Sequence, residues 1–436
     1  MKQFLFAGLV VFLAARDATA QGAANPALDP LDSLYPDLEK LYLDLHQTPE
    51  LSNHEEKTSA KLAARLKALG YEVTTGVGGY GVVAILKNGK GPTVLLREDM
   101  DALPVEERTG LAYASKVTTK DDSGATVSVM HACGHDVHMT GLIGAATLLA
   151  KAKDRWRGTL FLVAQPAEEK GNGAMAMIKG GLFTKFGKPD FAVSFHDSAM
   201  LPAGKVSVVP GYANAAVDSV DLTIYGRGGH GAYPHTTVDP IVIAARTILA
   251  LQTIVSRETR PTDPAVVTVG SIHGGTKHNI IPDEVKLLIT VRTYKEEVRK
   301  RILESIDRIA KAEALAAGAP KPPKMEISEG TFATYNDPAL TKRVAGALAK
   351  TLGESNVTEG EPVMGSEDFS EFGRAGIPSL QYNVGAVPVA KFEAAQKNGT
   401  PLPSLHSSEF APDPQPTIKT GTISLTAAAL ELLAKP

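Results

Sequence analysis

The stretch Leu160-Phe161-Leu162-Val163-Ala164-Gln165-Pro166-Ala167-Glu168-Glu169 is an apolar run that ends in two adjacent carboxylates. Similar runs recur along the chain, separated by helical stretches such as Leu142–Leu149. They are Gly81–Leu86, Thr93–Leu96, Phe191–Phe195 and Ser379–Val384. Apolar runs that alternate with helices are typical of buried, mostly parallel strands flanked by helices in an α/β domain. The functional site of such a domain lies beyond the carboxyl ends of its strands, where Glu168 and Glu169 fall.

A second unit interrupts this pattern between residues 217 and 325. Its predicted order is strand, helix, strand, strand, helix, strand: Ser219–Tyr225, Pro240–Val255, Ala265–Ile272, Glu284–Thr293, Glu296–Ala316 and Lys324–Ser328. This β-α-β-β-α-β order is typical of a ferredoxin-like unit. We therefore predict a larger α/β domain built from residues 21–216 and 326–436, with a ferredoxin-like domain of residues 217–325 inserted in it.

A helix is predicted near the start of the larger domain. Ser52 and Glu55 have the spacing of a capping box, which places the start of the helix at this point. The apolar residues Leu62, Leu66 and Leu69 follow at helical spacing, and a glycine directly after them predicts the end of the helix.

Composition and charge exclude several classes of protein. The 436 residues are 43% hydrophobic and 21% charged, which is ordinary for a globular protein and excludes a disordered chain, a coiled coil and a collagen-like chain. The length suggests two domains. Lys and Arg total 45 against 48 Asp and Glu, so there is no excess of basic residues to attract nucleic acid. We therefore expect no nucleic-acid partner.

The first twenty residues predict a secretory signal peptide. Lys2 precedes an apolar stretch, Phe4–Leu13, and Ala18-Thr19-Ala20 gives the small-residue pattern of a cleavage site before Gln21. The alternative is a membrane anchor, but about ten apolar residues are too few to cross a bilayer. No later segment is expected to span a membrane. The sequence therefore predicts a periplasmic or secreted protein.

The single cysteine, Cys133, lies in the segment His131–His138, which contains three histidines and one thiol. In an exported protein a lone cysteine is either buried and inert or held as a metal thiolate. Cys133 and His135 are two residues apart and can face the same centre, while Gly134 allows close backbone approach. The alternative, a polar loop that caps the next helix, accounts for Asp136 or His138 but not for the thiol. We favour a metal site.

The adjacent carboxylates Glu168 and Glu169 can divide two tasks between them. One can ligate a metal, while the other accepts a proton from the attacking water. The alternative is a solvated pair on the surface. Two further histidines, His196 and His406, follow apolar or small-residue segments, and each alone would usually be structural.

Two glycine-rich segments, Gly76–Gly81 and Gly226–Gly231, match the spacing of a dinucleotide-binding loop. The first leads into a strand rather than a helix, so it offers no helix N-terminus to a phosphate. The second follows a strand, but no acidic residue closes another strand about twenty positions later. We interpret both segments as turns.

Together these motifs resemble a known family, the aminoacylase/carboxypeptidase G group of di-metal metallopeptidases. The resemblance is to its amidohydrolase branch, which includes hippurate hydrolases and indole-acetyl-amino-acid hydrolases. Five segments carry the match: Leu45–Ser52, Asp99–Pro104, His131–His138, Glu168-Glu169 and Gly228-Gly229-His230. It covers essentially the whole chain after residue 20, and implies a di-metal exopeptidase-like fold.

The resemblance implies a role for each residue of the site. The metal ligands are Cys133, His135, Glu169, His196 and His406, and Glu168 is the general base. Two divalent ions are implied, Zn or Mn, with Co or Ni also compatible with this ligand set. Asp99 replaces a histidine of the wider family, so metal ligation is not carried over to Asp99 or Asp101, which are expected to support the ligands.

The same resemblance implies that the inserted domain acts as a lid and forms a homodimer or higher homo-oligomer. His230 matches a histidine that stabilises the oxyanion from the partner subunit. Asn279 and Arg292 match residues that hold the carboxylate of the substrate, a task that suits the planar guanidinium of arginine.

The function implied is hydrolysis of the amide bond of an N-acyl-amino acid or short peptide. A non-catalytic receptor on the same scaffold would lack the base or some ligands, whereas all of these positions are filled. A di-metal phosphoesterase would need a ligand set richer in oxygen and no carboxylate clamp.

Overall fold

Helices cover both faces of an eight-stranded sheet in the computed structural model, which describes residues 25–434. The predicted signal peptide, residues 1–20, lies outside the described residues. The helices are α1 Leu31–Gln47, α2 Glu56–Ala68, α3 His135–Lys151, α4 Gly173–Lys179, α5 Leu182–Phe186, α6 Pro240–Thr253, α7 Glu296–Ala316, α8 Pro338–Leu352, α9 Ser370–Arg374, α10 Val389–Asn398 and α11 Pro414–Leu432. The strands are β1 Glu72–Val77, β2 Gly81–Asn88, β3 Thr93–Asp99, β4 Thr118–Lys120, β5 Thr126–Ser128, β6 Gly158–Gln165, β7 Phe191–Pro202, β8 Val206–Val208, β9 Gly211–Asn214, β10 Ala216–Tyr225, β11 Gly229–His230, β12 Ala265–His273, β13 Ile280–Ile281, β14 Glu284–Thr293, β15 Lys324–Thr331, β16 Thr334–Asn336, β17 Val357–Glu359 and β18 Ser379–Val387.

The large sheet has the order β1-β2-β6-β3-β7-β18-β8-β17. Its central strands β6, β3, β7 and β18 are parallel to their neighbours in this group. This confirms the predicted α/β fold with a mostly parallel sheet. The predicted strand Gly81–Leu86 lies in β2, which runs antiparallel to both β1 and β6. The turn between β1 and β2 is too short for the crossover that a parallel pair requires.

Alternating side chains of β3 bury both faces of the sheet. Val94 and Leu96 pack in a core with α1, α3 and α11, whereas Leu95 packs on the opposite face with Phe161 and Phe369. Successive side chains of a strand point to opposite faces, so a strand covered on both sides must be apolar at every position. This explains the continuous apolar runs in the sequence.

The inserted unit has its own antiparallel sheet, in the order β12-β14-β10-β15, with α6 and α7 packed on it. The six predicted elements occur in the predicted order, and the bounds of β14 and α7 coincide with the prediction. The order of its strands is that of a ferredoxin-like sheet. The division of the chain into domains at 217 and 325 stays a prediction.

The sequence predicts no segment after residue 20 that is long and apolar enough to cross a membrane. Among the described residues one helical segment, Pro240–Glu258, meets that criterion on length and composition alone. It comprises α6 and one further turn. Ile243, Leu251 and Ile254 on one side of it lie in the core of the inserted unit. The apolar composition of the segment therefore reflects, in part, its packing on the sheet.

The predicted capping box of α2 is wrong. Glu55 occupies the N-cap position, but its side chain makes no capping hydrogen bond, and Ser52 Oγ donates to Asp101 instead. The carboxylate of Glu50 caps the helix, accepting hydrogen bonds from the backbone of Lys57 and Thr58. Because Glu50 satisfies these amides, the Glu55 carboxylate is free to bond elsewhere.

Candidate metal centre and active site

A cavity of about 670 Å³ opens beyond the carboxyl end of β6, beside His196–Met200 in the C-terminal half of β7. Its lining includes the predicted metal ligands Cys133, Glu169, His196 and His406. Glu168 also faces this cavity, as does Arg292 of the inserted unit. The cavity therefore lies where an α/β sheet is expected to place its site.

The loop before α3 places Cys133 at the centre of the cluster. Gly134 has φ +73°, and a Cβ on it would lie 2.4 Å from the Asp197 carboxylate, so the backbone approaches this carboxylate as only glycine allows. The Cys133 Sγ atom lies 3.5 Å from Nε2 of His196 and 3.2 Å from Nε2 of His406. Three of the predicted ligands thus converge on one point.

Two of the histidines are oriented by backbone carbonyl groups. Nδ1 of His135 lies 2.7 Å from the carbonyl oxygen of Asp101, and Nδ1 of His196 lies 2.7 Å from that of Asp197. A carbonyl oxygen only accepts, so Nδ1 carries the proton in each ring. Each Nε2 is then left with a free lone pair, the arrangement found in metal-ligating histidines.

The Glu168-Glu169 turn is held by the carboxylate of Asp101. Its two oxygens accept hydrogen bonds from the backbone amides of Glu168, at 3.1 Å, and Glu169, at 3.0 Å. Ser52 Oγ donates to the same carboxylate at 2.6 Å. Asp101 therefore lies behind the ligands, in the supporting position predicted from the sequence.

Asp99 also lies behind the ligands, where it contacts His138. His138 Nδ1 is 2.7 Å from Asp99, and its Nε2 is 3.0 Å from Asp197. Burial lowers the pKa of the His138 imidazole, but the carboxylates of Asp99 and Asp197 outweigh burial and raise it well above its usual value. His138 thus links Asp99 with Asp197, which is adjacent to His196.

The arrangement fits metal ions. Among the groups whose ligand atoms lie within 4.8 Å of one another, three consist only of predicted ligands and Glu168: Cys133 with His135 and His196, Cys133 with Glu169 and His406, and His135 with Glu168 and Glu169. Nε2 of His135 and Oε1 of Glu169 are buried and have no hydrogen-bond partner in the protein. Buried polar atoms without a partner are costly, and a cation between them would remove this cost.

The electrostatics also favour cations. Burial raises the pKa of the Cys133 thiol, and the Glu169 and Asp197 carboxylates raise it further. Burial likewise raises the pKa of Glu168, with added contributions from the Glu367 and Glu169 carboxylates. A divalent cation would reverse both effects, because it stabilises thiolate and carboxylate ligands. The structure brings all five predicted ligands together with Glu168, while their roles stay predictions.

Sequence reasoning missed a buried ionic cluster around Arg97. Its guanidinium contacts Asp99 at 2.8 Å and both Glu367 and Asp368 at 3.0 Å, and it donates to Gln165 at 2.9 Å. Glu367 also lines the cavity. One signal was available, because the charged residues 97–99 directly continue the apolar run Thr93–Leu96. The contacts with 367 and 368 cross about 270 positions, and no local pattern predicts them.

The three predicted site residues of the inserted unit lie in two separate places. Arg292 lines the cavity of its own chain. His230 and Asn279 lie next to each other, since His230 pairs with Ile280 and Gly231 N donates to the Asn279 carbonyl. Both are exposed, and neither is among the described residues that line the cavity.

Comparisons with known proteins agree with this geometry. The profile of peptidase family M20/M25/M40 matches residues 95–398. Thermostable carboxypeptidase 1 of Saccharolobus solfataricus is 37% identical over 385 residues, which cover 87% of this chain and 91% of that protein. Hippurate hydrolase of Campylobacter jejuni is 40% identical over 342 residues, 77% of this chain and 85% of that protein.

A solved structure shows the same fold. The Bacillus subtilis YXEP protein, described as a dinuclear metal binding peptidase from the M20 family, matches with a TM-score of 0.75 and 27% identity. The match covers 92% of this chain and 99% of that one. The chain therefore belongs to peptidase family M20/M25/M40 and is a metal-dependent hydrolase of amide or peptide bonds.

Proposed function

We propose that this enzyme cleaves the amide bond of an N-acyl-amino acid or short peptide and releases the free amino acid. The observation that carries the proposal is a cluster of the five predicted ligand side chains and Glu168 at one cavity, which all of them except His135 line, with the guanidinium of Arg292 in its wall. The names of two relatives, a carboxypeptidase and a hippurate hydrolase, support this substrate class.

Two divalent ions, zinc or manganese, would be held by Cys133, His135, Glu169, His196 and His406, and cobalt or nickel is also compatible with this ligand set. When bound, such ions lower the pKa of water and polarise a carbonyl group. Glu168 accepts a proton from the attacking water and donates it to the departing amine. The backbone amide of Glu168 is anchored to Asp101, which holds the turn that carries the carboxylate.

Arg292 is suited to bind the carboxylate of the substrate. Its guanidinium is half-buried, and its Nη1 has only long contacts, 3.4 Å to the carbonyl oxygen of Met364 and 3.3 Å to Ser366 Oγ. A substrate carboxylate would replace these weak bonds with charge-assisted ones. This interaction selects substrates that have a free carboxylate next to the scissile amide.

Arg292→Met should raise KM for an N-acyl-amino acid about 10–100-fold, since a hydrogen bond to a charged group contributes about 1.5–3 kcal/mol. The matched control substrate is the corresponding N-acyl-amino acid amide, which has no carboxylate. Its KM should be similar for wild type and variant. Equal losses with both substrates would contradict the role of Arg292 as carboxylate clamp.

We further propose that the enzyme is a homodimer in which the inserted unit covers the site of the partner. On α6, Val242 and Leu249 are 55% and 73% exposed on the side away from the core. The neighbouring strand β12 is an edge strand of the inserted sheet, and its Ile272 is also exposed. An apolar helix face beside an open strand edge suits pairing with a second copy. His230 of the partner subunit would then stabilise the oxyanion.

Mixing inactive His230→Ala with inactive Glu168→Gln tests this arrangement. In a mixed dimer one site combines an intact Glu168 with an intact His230 from the other chain. Random exchange makes half of the dimers mixed, so activity should recover to about a quarter of wild type. Exchange is monitored with differently tagged subunits. No recovery despite proven exchange would mean that His230 serves its own chain or is only a turn residue.

The proposed localisation is periplasmic or secreted, after cleavage of residues 1–20. Cell fractionation and N-terminal sequencing of the isolated protein test it, with Gln21 as the expected first residue. A cell-associated cytoplasmic protein that retains Met1 would contradict it.

The reaction itself is tested by amino-acid release from a panel of N-acyl-amino acids, with and without a chelator. We expect release that the chelator abolishes and that added zinc or manganese restores. Binding without release would indicate a receptor. Release of phosphate from a phosphoester, with no amino-acid release, would indicate a phosphoesterase.

A further inference from the structure

The segment between α1 and α2 reaches across the domain to the turn that carries Glu168 and Glu169. Glu55 is fully buried, and its Oε1 accepts a hydrogen bond from the backbone amide of Ala167 at 2.8 Å. The same oxygen accepts from the amide of Asn53 at 2.9 Å. Glu55 and Ala167 are 112 positions apart, so this contact links two distant parts of the chain.

Both residues bound by Glu55 have an unusual backbone conformation. Ala167 has φ +52° and Asn53 has φ +67°. Asparagine enters this left-handed region readily, but alanine does so only at a cost in conformational energy. Such a conformation persists only where the surroundings enforce it, and it occurs often at active sites.

The conformation of Ala167 sets the direction of the two residues that follow it. Three successive backbone amides in this turn donate to buried carboxylates: that of Ala167 to Glu55, and those of Glu168 and Glu169 to Asp101. Asp101 holds the two functional residues, whereas Glu55 holds the strained residue before them. Without Glu55 the buried amide of Ala167 would lose its acceptor, and the strain would favour another backbone conformation.

We propose that Glu55 is a positioning residue for the reaction, which enforces the left-handed conformation of Ala167 and thereby aims Glu168 at the substrate. This inference rests on the proposed hydrolysis. Glu55 acts through its acceptor oxygen, so the charge of its carboxylate is not required. Burial, with a contribution from the Asp101 carboxylate, raises the pKa of Glu55 to about 7, which agrees with a carboxyl group that can be neutral in this place.

The test compares three single-substitution variants with wild type: Glu55→Met, Glu55→Gln and a control variant. Met fills nearly the same volume without an acceptor, so kcat should fall on the order of 10–100-fold while KM and metal content stay near wild type. Gln keeps the acceptor oxygen, so kcat should stay within about threefold of wild type. The control is Glu50→Ala, which removes the cap of the same helix but touches no residue of the turn. It should lower the melting temperature and leave kcat unchanged.

Amide hydrogen exchange gives a readout independent of activity and metal. In metal-free protein, Glu55→Met should speed exchange in the peptide that contains Ala167 by about tenfold, because the hydrogen bond that protects this amide is lost. Glu55→Gln and Glu50→Ala should leave that peptide protected. If wild type hydrolyses no N-acyl-amino acid, the proposed function fails, and exchange still tests Glu55.

Three results would overturn the inference. The first is a kcat of Glu55→Met equal to that of Glu50→Ala. The second is an equal loss in Glu55→Gln, which would mean that charge matters rather than the acceptor. The third is loss of bound metal from Glu55→Met, which would make Glu55 a support of the metal centre. If Glu55→Met does not fold, Glu55→Ala replaces it in the same comparison, with the same expected loss.

Discussion

Glu168→Gln should lower kcat about 10²–10⁴-fold, the usual contribution of a general base. The amide of glutamine has almost the same shape as the carboxylate but cannot accept a proton from water. The backbone amide at 168 still donates to Asp101, so the turn should keep its conformation. Steady-state kinetics with a metal analysis of the same preparation measure the effect, and the metal content should equal that of wild type.

The neighbouring carboxylate provides the control. The potential ligand atoms of Glu169, Cys133 and His406 lie within 4.8 Å of one another. Glu169→Gln should therefore reduce metal content together with activity. The same Glu→Gln change at two adjacent positions should thus have different effects on metal content: unchanged at Glu168 and reduced at Glu169. A Glu168→Gln enzyme with near-normal kcat, or one that loses metal as Glu169→Gln does, would remove Glu168 as the base.

Cys133→Ala should abolish most activity by removing a ligand shared by two of the candidate groups. Metal content should fall, since the thiol is the point on which His196 and His406 converge. Cys133→Asp should retain part of the metal and part of the activity, because a carboxylate is also an anionic ligand. Both quantities are measured by metal analysis and by kinetics at saturating added metal.

Packing alone does not predict this pattern of metal loss. Alanine is smaller than cysteine and fits the site, and aspartate is similar to cysteine in size. If Cys133 were only a packing residue, Cys133→Ala would stay folded, fully metallated and active. Circular dichroism and thermal melting of each variant separate loss of metal from loss of fold.

The periodicity and motifs of the sequence predict most of the fold. The apolar runs predict the central strands because every position of a doubly covered strand is buried. The bounds of β14 and α7 follow from clear alternation and amphipathic spacing. The same information cannot tell that β2 runs antiparallel, because strand direction depends on the turn that joins it to β1.

The site was predictable where its residues are close in sequence or match a motif. Cys133, His135, Glu168 and Glu169 satisfy one or both conditions. Arg97, Glu55 and Glu367 were missed because the contacts that bring them to the site are long-range: Arg97 and Glu367 are 270 positions apart, and Glu55 and Ala167 are 112 positions apart. The Ser52-Glu55 pair shows how a local rule misleads. Its spacing fits a capping box, but a different carboxylate, that of Glu50, accepts the hydrogen bonds from the helix terminus.

The proposed metal ligands come from both sides of the inserted unit. Cys133 Sγ and His406 Nε2 are 3.2 Å apart although 273 positions separate them, and α11 follows His406 to pack in the core beside α3. The ribosome has made the whole inserted unit before the last proposed ligand, His406, exists. No partial chain can therefore hold the complete centre. Because proteins select among similar divalent ions partly by their availability, we expect the enzyme to acquire the ion that is available where its C-terminal segment docks.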